Sequence, residues 1–477
     1  MWYNRLDEGG GERCERRTAS YPIVLAVYEV MARMLTNSTQ CRFSRKGLTV
    51  STKSSIARRK FLKGGLAAVG AALGAPYIVP ASALGADGDV SPSERITLGG
   101  IGIGNRGGYD LGCFLNEKDV RFVAIADTKA VRRAQIKDMA DKKYGNKDCV
   151  MYQDFRELLA RPDIDAVLIA TGPNWHCTAA INAAKAGKDV YCEKPCTKNI
   201  VQSLMLAETF QRTGRVFQGG MQRRGLSHFQ YAVELARKGK LGKLQTVVAH
   251  PGGMGTGMSG WWGGEPEPPK EQADWDMYLG PAAWRPYNKG VMGSAFGFEK
   301  GGGLVGGGVL EWGTHCIDLC QWANDADLLE PIEYFPPAGG QATALYPNGV
   351  KLVLREGGWL GLGSCPVRFE GDTGWVEAGD NGDVVASNPA LLAGRWTKVG
   401  GYPANNHIRD FLNCVKTRGL PRANHFVTCH THIACHASGI SIFLKRKVTY
   451  DPKTTMFVND DEANRLRWEA LREPWRL

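Results

Sequence analysis

The sequence has no run of about 20 apolar residues, the length a membrane-spanning helix requires, which excludes a multi-span membrane protein. It has no internal repeat, and its 60 glycines follow no G-x-y period, so collagen is excluded and Gly-rich loops are expected. A disulfide framework is also missing. The 13 cysteines are odd in number and irregular in spacing, and Cys177, Cys316 and Cys320 fall in helix-like patterns as small buried apolar residues. Outside the N-terminal leader there is little charge imbalance. Residues 1–86 hold 13 Lys/Arg and 5 Asp/Glu, and the remaining chain carries a net of only +3 out of the total +11. The basic excess is therefore not a nucleic-acid surface, and no nucleic-acid partner is expected. With 43% hydrophobic and 22% charged residues, the 477-residue chain reads as a globular protein of two or three domains.

The leader (residues 1–83) reads as an export signal. Arg58-Arg59 precede Phe61-Leu62-Lys63, a weakly apolar Gly/Ala-rich run from Gly64 to Val79, and the small residues Ala81-Ser82-Ala83. A basic region, a short apolar region and an A-x-A site describe a cleavable signal peptide, and the paired arginines resemble the bacterial twin-arginine signal. Delivery to the periplasm or beyond is expected. Residues 1–49 match no packed module, so translation is expected to start near Met34 or at Val50, the alternative being a genuine extension with a helical stretch at Ile23–Leu35.

A dinucleotide fold is expected from residue 94. The β-branched stretch Arg95–Ile101 runs into Gly102-Ile-Gly104-Asn105-Arg106-Gly107, followed by a helix at Tyr109–Asn116 and a strand at Val120–Ala126 that ends at Asp127. Such glycines let the backbone approach a pyrophosphate at a helix N-terminus, and the aspartate accepts hydrogen bonds from the adenosine ribose. That carboxylate favours NAD over NADP, although Lys129, Arg132 and Arg133 stand nearby. Alternation continues through the strand Ala166–Ala170, the helix Cys177–Ala186 and the strand Asp189–Cys192, which indicates a parallel sheet covered by helices.

Pro173-Asn174-x-His176, Gly187-Lys188-x-Val190-x-x-Glu193-Lys194-Pro195 and Gly306-Gly-Gly-x-x-Glu311-x-Gly-x-His315-x-x-Asp318-Leu319-x-x-Trp322 together resemble the signature of the glucose–fructose oxidoreductase / inositol dehydrogenase (Gfo/Idh/MocA) family. Trp275-Asp-x-Tyr-Leu-Gly-Pro281 and the tail from Asn459 to Trp475 are similar to its exported members. The resemblance implies a Rossmann domain at 94–217 and an α+β substrate domain at 218–477. The latter would carry a large, mostly antiparallel open sheet, with C-terminal segments returning to the cofactor domain. It implies Lys194 as a catalytic residue, His315 as general base and Glu311 as its acidic companion, where the family's polyol dehydrogenases more often have aspartate. If residues 311–318 are helical, Glu311, His315 and Asp318 project from one face. Asn174, His176 and Glu193 are expected beside the cofactor. Arg223, Trp275 and Asp318 are candidate substrate contacts, Asp318 first as a structural residue with a capping or orienting role. His250, Trp261, Trp262 and Trp275 lie in a Gly/Pro-rich stretch and either face sugar rings or pin the loop.

Cys429-His430-Thr-His432-Ile-Ala-Cys435-His436 has the residue types of a metal site, but Val427–Phe443 reads as a helix that spreads them over several faces, and no metal is assigned. The reading is an exported NAD-dependent oxidoreductase acting on a sugar, sugar derivative or polyol, with tightly bound, internally recycled NAD. The alternative is a glycoside-cleaving enzyme, similar to the family's α-N-acetylgalactosaminidases, that oxidises C3 transiently. A small-molecule carbohydrate partner and a homo-oligomer paired through the open sheet complete the expectation.

Overall fold

A computed structural model describes residues 90–255, 263–293, 308–394 and 396–477. The leader with Arg58 and Arg59, the pair Trp261-Trp262 and Gly306 lie outside the described residues.

The first sheet has six strands: β1 (Ile96–Ile101), β2 (Val120–Ala126), β3 (Val150–Tyr152), β4 (Ala166–Ile169), β5 (Asp189–Cys192) and β6 (Phe217–Gly219). All pairings are parallel, in the order β3-β2-β1-β4-β5-β6. A parallel sheet is covered on both faces, so its strands are mostly apolar. In β4 every residue is buried, Ala166 and Leu168 packing on one face and Val167 and Ile169 on the other. The covering helices are α1 (Asn105–Leu115), α2 (Ala130–Tyr144), α3 (Phe155–Leu159), α4 (Pro173–Lys185) and α5 (Ile200–Thr213). Strand order reverses between β1 and β4. The crevice at their carboxyl ends is where an open α/β sheet takes its ligand.

The second sheet follows α6 (Ser227–Arg237) and has nine strands: β7 (Leu244–Ala249), β8 (Glu333–Ala338), β9 (Gln341–Leu345), β10 (Lys351–Arg355), β11 (Val367–Gly371), β12 (Trp375–Ala378), β13 (Val384–Ala386), β14 (Val448–Asp451) and β15 (Met456–Phe457). Only the β7–β10 pairing is parallel, as in a sheet that is mostly antiparallel. The fold is therefore a Rossmann-type domain joined to an α+β domain with a large open sheet. Between β7 and β8 the chain forms α7 (Trp275–Leu279), α8 (Lys289–Gly293), α9 (Gly308–Glu311) and α10 (Gly313–Ala323).

Three further helices are α11 (Asn405–Thr417), α12 (His425–Leu444) and α13 (Asp461–Arg465). Phe411 of α11 meets Phe114 and Tyr191 edge-on, which fixes that helix on the first sheet. α12 packs on α5 on one side and β8 on the other, joining the two layers. No described helix is long and apolar enough to cross a membrane.

Candidate active site

The dinucleotide end is built from glycines with separate duties. Gly102 turns the chain after β1 at φ +63°, and a Cβ there would lie 2.1 Å from Thr171 Cγ2. A Cβ on Gly107 would lie 2.6 Å from that of Ala170, so α1 can sit this close to the end of β4 only with glycine at that position. Gly104 has open space in front of it. It is also the N-cap of α1 and makes no side-chain cap bond, so the N–H groups of the first turn have no capping acceptor and suit an anion.

Asp127 stands beyond β2, buried, with Oδ1 accepting from the Lys129 N–H at 2.8 Å. Burial pushes its carboxyl above the ordinary range, opposed by that N–H and by Lys129, Arg132 and Arg133. The cleft is lined by Gly102, Gly104, Arg106, Asp127 and Asn174, and by Tyr278 from the chain beyond β7. An open glycine turn, an uncapped helix and a strand-end carboxylate fit an NAD. Asn105 borders the same cleft and accepts from Arg132 Nη2 at 3.0 Å.

The other end brings Lys194, Glu311 and His315 together. Lys194 follows β5, and its Nζ donates to Glu311 O at 2.8 Å and to Glu311 Oε2 at 3.4 Å. Glu311 Oε1 and His315 Nδ1 are buried with no hydrogen-bond partner. Burial first, then the charges of Arg223, Lys194 and Arg106, hold the His315 imidazole well below its usual range. His315 is thus neutral at physiological pH and able to accept a proton.

Several expected contacts are placed elsewhere. Asp318 is fully buried and receives Arg224 Nε at 3.0 and 2.8 Å and Thr431 Oγ1 at 3.2 Å, so it is an internal ion-pair partner and not a substrate contact. The Arg223 guanidinium is taken by Asp380 at 2.7 Å and lies over the Tyr402 ring, so it reaches His315 through its charge. Trp275 is 3% exposed. It stacks on Tyr278 and donates its N–H to Arg285 O at 2.9 Å, which pins the loop and removes it from the substrate side. Glu193 lies beneath Arg106, at 3.9 Å, and accepts from Gln222 Nε2 at 2.5 Å. Asn174 lines the cleft and donates to the Tyr278 and Leu279 carbonyls. His250 Nδ1 accepts from the Gly252 N–H within its own loop.

His176 is buried behind the turn that carries Lys194. Its two ring nitrogens face the Pro195 and Thr171 carbonyls at 2.8 and 3.0 Å, holding the turn that follows Lys194. His432 holds the same turn: Nε2 accepts from the Cys196 N–H at 2.9 Å, while Nδ1 faces the Thr428 carbonyl at 2.7 Å. Nδ1 therefore carries the proton. His436, one turn on, meets Thr197 Oγ1 at 3.3 Å. These supports were missed in the Cys/His tract, although the i, i+4 spacing of His432 and His436 was a usable signal. His430 turns instead to Glu330, and Cys429 and Cys435 enter the core.

Residues 96–221 match the model of an oxidoreductase family with an NAD-binding Rossmann fold, and residues 255–477 match that family's C-terminal alpha/beta domain. A myo-inositol 2-dehydrogenase of Thermotoga maritima is 31% identical over 146 residues, covering 31% of this chain and 42% of that protein. An alpha-N-acetylgalactosaminidase of Shewanella oneidensis is 31% identical over 138 residues, covering 28% and 30%. The chain thus aligns with less than half the length of these curated relatives. The crystal structure of an aldose-aldose oxidoreductase from Caulobacter crescentus complexed with glycerol superposes with a TM-score of 0.51 at 18% identity, over 74% of this chain and 99% of that one.

Proposed function

The chain belongs to the Gfo/Idh/MocA oxidoreductase family, and from that membership we propose an exported NAD-dependent enzyme that oxidises a CH–OH group of a sugar, sugar derivative or polyol and keeps its NAD between turnovers. The observation that carries this reading is the Lys194–Glu311 bond beside a buried, neutral His315 at the carboxyl end of β5. When bound, the nicotinamide supplies a hydride acceptor. The chain's own residues do the rest. Lys194 donates to the substrate oxygen, Glu311 fixes the ammonium, and His315 takes the hydroxyl proton as hydride leaves the same carbon. Preference for NAD is supported by Asp127. It is supported too by Lys129 and Arg133, whose side chains already donate to the Met292 and Glu271 carbonyls and are not waiting for a 2′-phosphate.

Export supports retention. Outside the cytoplasm no evident pool reoxidises NADH, whereas the twin-arginine route lets a protein fold around its cofactor before transport. His315 then serves as base in an oxidative half and as acid in the return. One sugar could be oxidised as another is reduced, or one glycoside oxidised at C3, cleaved by elimination and re-reduced. The α-N-acetylgalactosaminidase relative favours keeping the second reading. The test is to purify the protein without added cofactor, denature it, and identify what is released. Near-stoichiometric NAD(H), with turnover independent of added NAD, is expected. An empty protein that consumes one NAD per product, or one that releases NADP, overturns the retained-NAD reading.

A further inference from the structure

Residues 269–293, between β7 and β8, leave the second domain and lie across the first. Lys129 and Ala273 form an antiparallel bridge, flanked by Ala130 N–H to Gln272 O at 2.9 Å and Asp274 N–H to Thr128 O at 3.1 Å. Side chains of the first domain then grip the backbone of the segment one after another. Gln153 reaches Lys270 O, Arg133 reaches Glu271 O, Trp175 Nε1 reaches Met277 O at 2.8 Å, and Asn174 reaches the Tyr278 and Leu279 carbonyls. Gly280 is at φ +52°, where a Cβ would meet the Trp175 ring at 2.2 Å, so only glycine allows the chain to come this close.

The segment has its own small core, with Trp275, Leu279, Val291 and Met292 buried together, so it behaves as one piece. From outside it is tied by the C-terminal tail. Arg472 donates to Gly280 O at 2.9 Å and to Asp276 O at 2.7 Å, and Trp475 lies edge-on to Trp175 at 4.6 Å. The inner surface of the segment, through Met277, Tyr278 and Met292, lines the same cleft as Gly104 and Asp127.

We propose that residues 269–293 are a strap that closes the adenosine end of the dinucleotide site, with Tyr278 a cofactor-contacting wall and Arg472 its latch. The function is to slow NAD release. This rests on the retained-NAD reading, and it gives that reading a physical carrier: a dinucleotide seated between Asp127 and Tyr278 leaves only after the strap lifts.

The experiment follows NADH release from the holoenzyme by fluorescence during a chase with excess NAD. Arg472→Ala removes the latch without touching the cleft. It is expected to speed release about tenfold, the equivalent of losing ~1.4 kcal/mol of closure, with association changed little. Tyr278→Ala is expected to speed release at least as much. Arg472→Lys keeps a charge but loses the fork, and it is expected to fall between; it decides the matter if the alanine variant does not fold. Folded variants with the wild-type release rate overturn the strap. A wild type that arrives empty and releases NADH quickly instead defeats the retained-NAD reading, while the variant-to-wild-type ratio still decides whether the strap governs release.

Discussion

Around Asp127 the charged groups of Lys129, Arg132, Arg133 and Asp127 already have protein partners and Asn174 Oδ1 is left without one, whereas beside Lys194 two buried polar atoms have none. Lys129 and Arg133 are bonded to Met292 O and Glu271 O, Arg132 to Asn105, and Asp127 to the Lys129 N–H. Glu311 Oε1 and His315 Nδ1, by contrast, stand without hydrogen bonds. Leaving a buried polar group unpaired costs about 1–3 kcal/mol, so two of them side by side near Lys194 call for an explanation, and a ligand that completes them is one. The protein satisfies most of the first set itself and leaves the second open.

The largest break in that comparison comes from the unfinished end. Lys194→Ala and His315→Ala are each expected to lower kcat by ~10²–10⁴, the usual loss for a positioned acid or base. The fold and the affinity for NAD should stay close to wild type, as measured by melting and calorimetry. Near-wild-type kcat in either variant would place the chemistry on another residue.

A smaller effect is expected behind Lys194. His432→Ala leaves the Cys196 N–H unpaired in the interior and frees the turn that aims the ammonium. About a tenfold fall in kcat is expected, equal to ~1.4 kcal/mol, with the amount of NAD(H) retained by the purified protein unchanged. His432→Gln offers an oxygen acceptor at a similar reach and should recover part of the rate. Equal loss in both variants, or a loss confined to thermal stability, would make His432 a core residue and nothing more.

The same contrast explains what could be read from the sequence. Strands β2 and β5 lie at Val120–Ala126 and Asp189–Cys192 as expected, because buried parallel strands are short apolar runs between breaks. The helices at the ligand cleft begin about one turn earlier than the sequence predicts. α1 was expected from Tyr109 and begins at Asn105; α4 was expected from Cys177 and begins at Pro173. Both have a glycine N-cap without a side-chain cap bond, so the usual Ser/Asp/Asn start signal is missing. α12, expected over Val427–Phe443, runs His425–Leu444, and there Asn424 caps the first turn. Lys194, Glu311 and His315 were legible from motif spacing. The grip of His432 on Cys196 joins positions 236 residues apart, and no local pattern encodes that. Trp275 takes the second of its two expected roles, and only the fold could decide: an aromatic in a Gly/Pro-rich loop has the same spacing whether it faces a sugar or pins the loop.

The smallest expected effect tests the joint between the two ends. Asp110 of α1 is fully buried beside Glu193, and Arg106 lies 2.9 Å from its Oδ1. Burial first, then the Glu193 carboxylate, pushes the Asp110 carboxyl well above its ordinary range, against the pull of Arg106. One proton is therefore held in this pair at neutral pH. The sign follows from linkage. A carboxyl whose folded pKa is raised binds more protons folded than unfolded, so its contribution is fully present below the unfolded value near 4 and is lost as pH rises toward the folded value. Asp110→Asn removes that titration and keeps the shape. The variant should melt above wild type at pH 8.5 by roughly 2–4 °C, the shift that ~1 kcal/mol gives in a domain of this size. The gap should narrow at pH 5.5, which lies closer to the unfolded value near 4, so that keeping the proton in the fold costs less there. A gap that is flat between those pH values, or wider at the acid one, would mean that Asp110 is ionised against Arg106. The carboxyl next to the catalytic strand would then be a second finished ion pair, and the division between a completed binding end and an open reacting end would start one residue layer closer to Lys194.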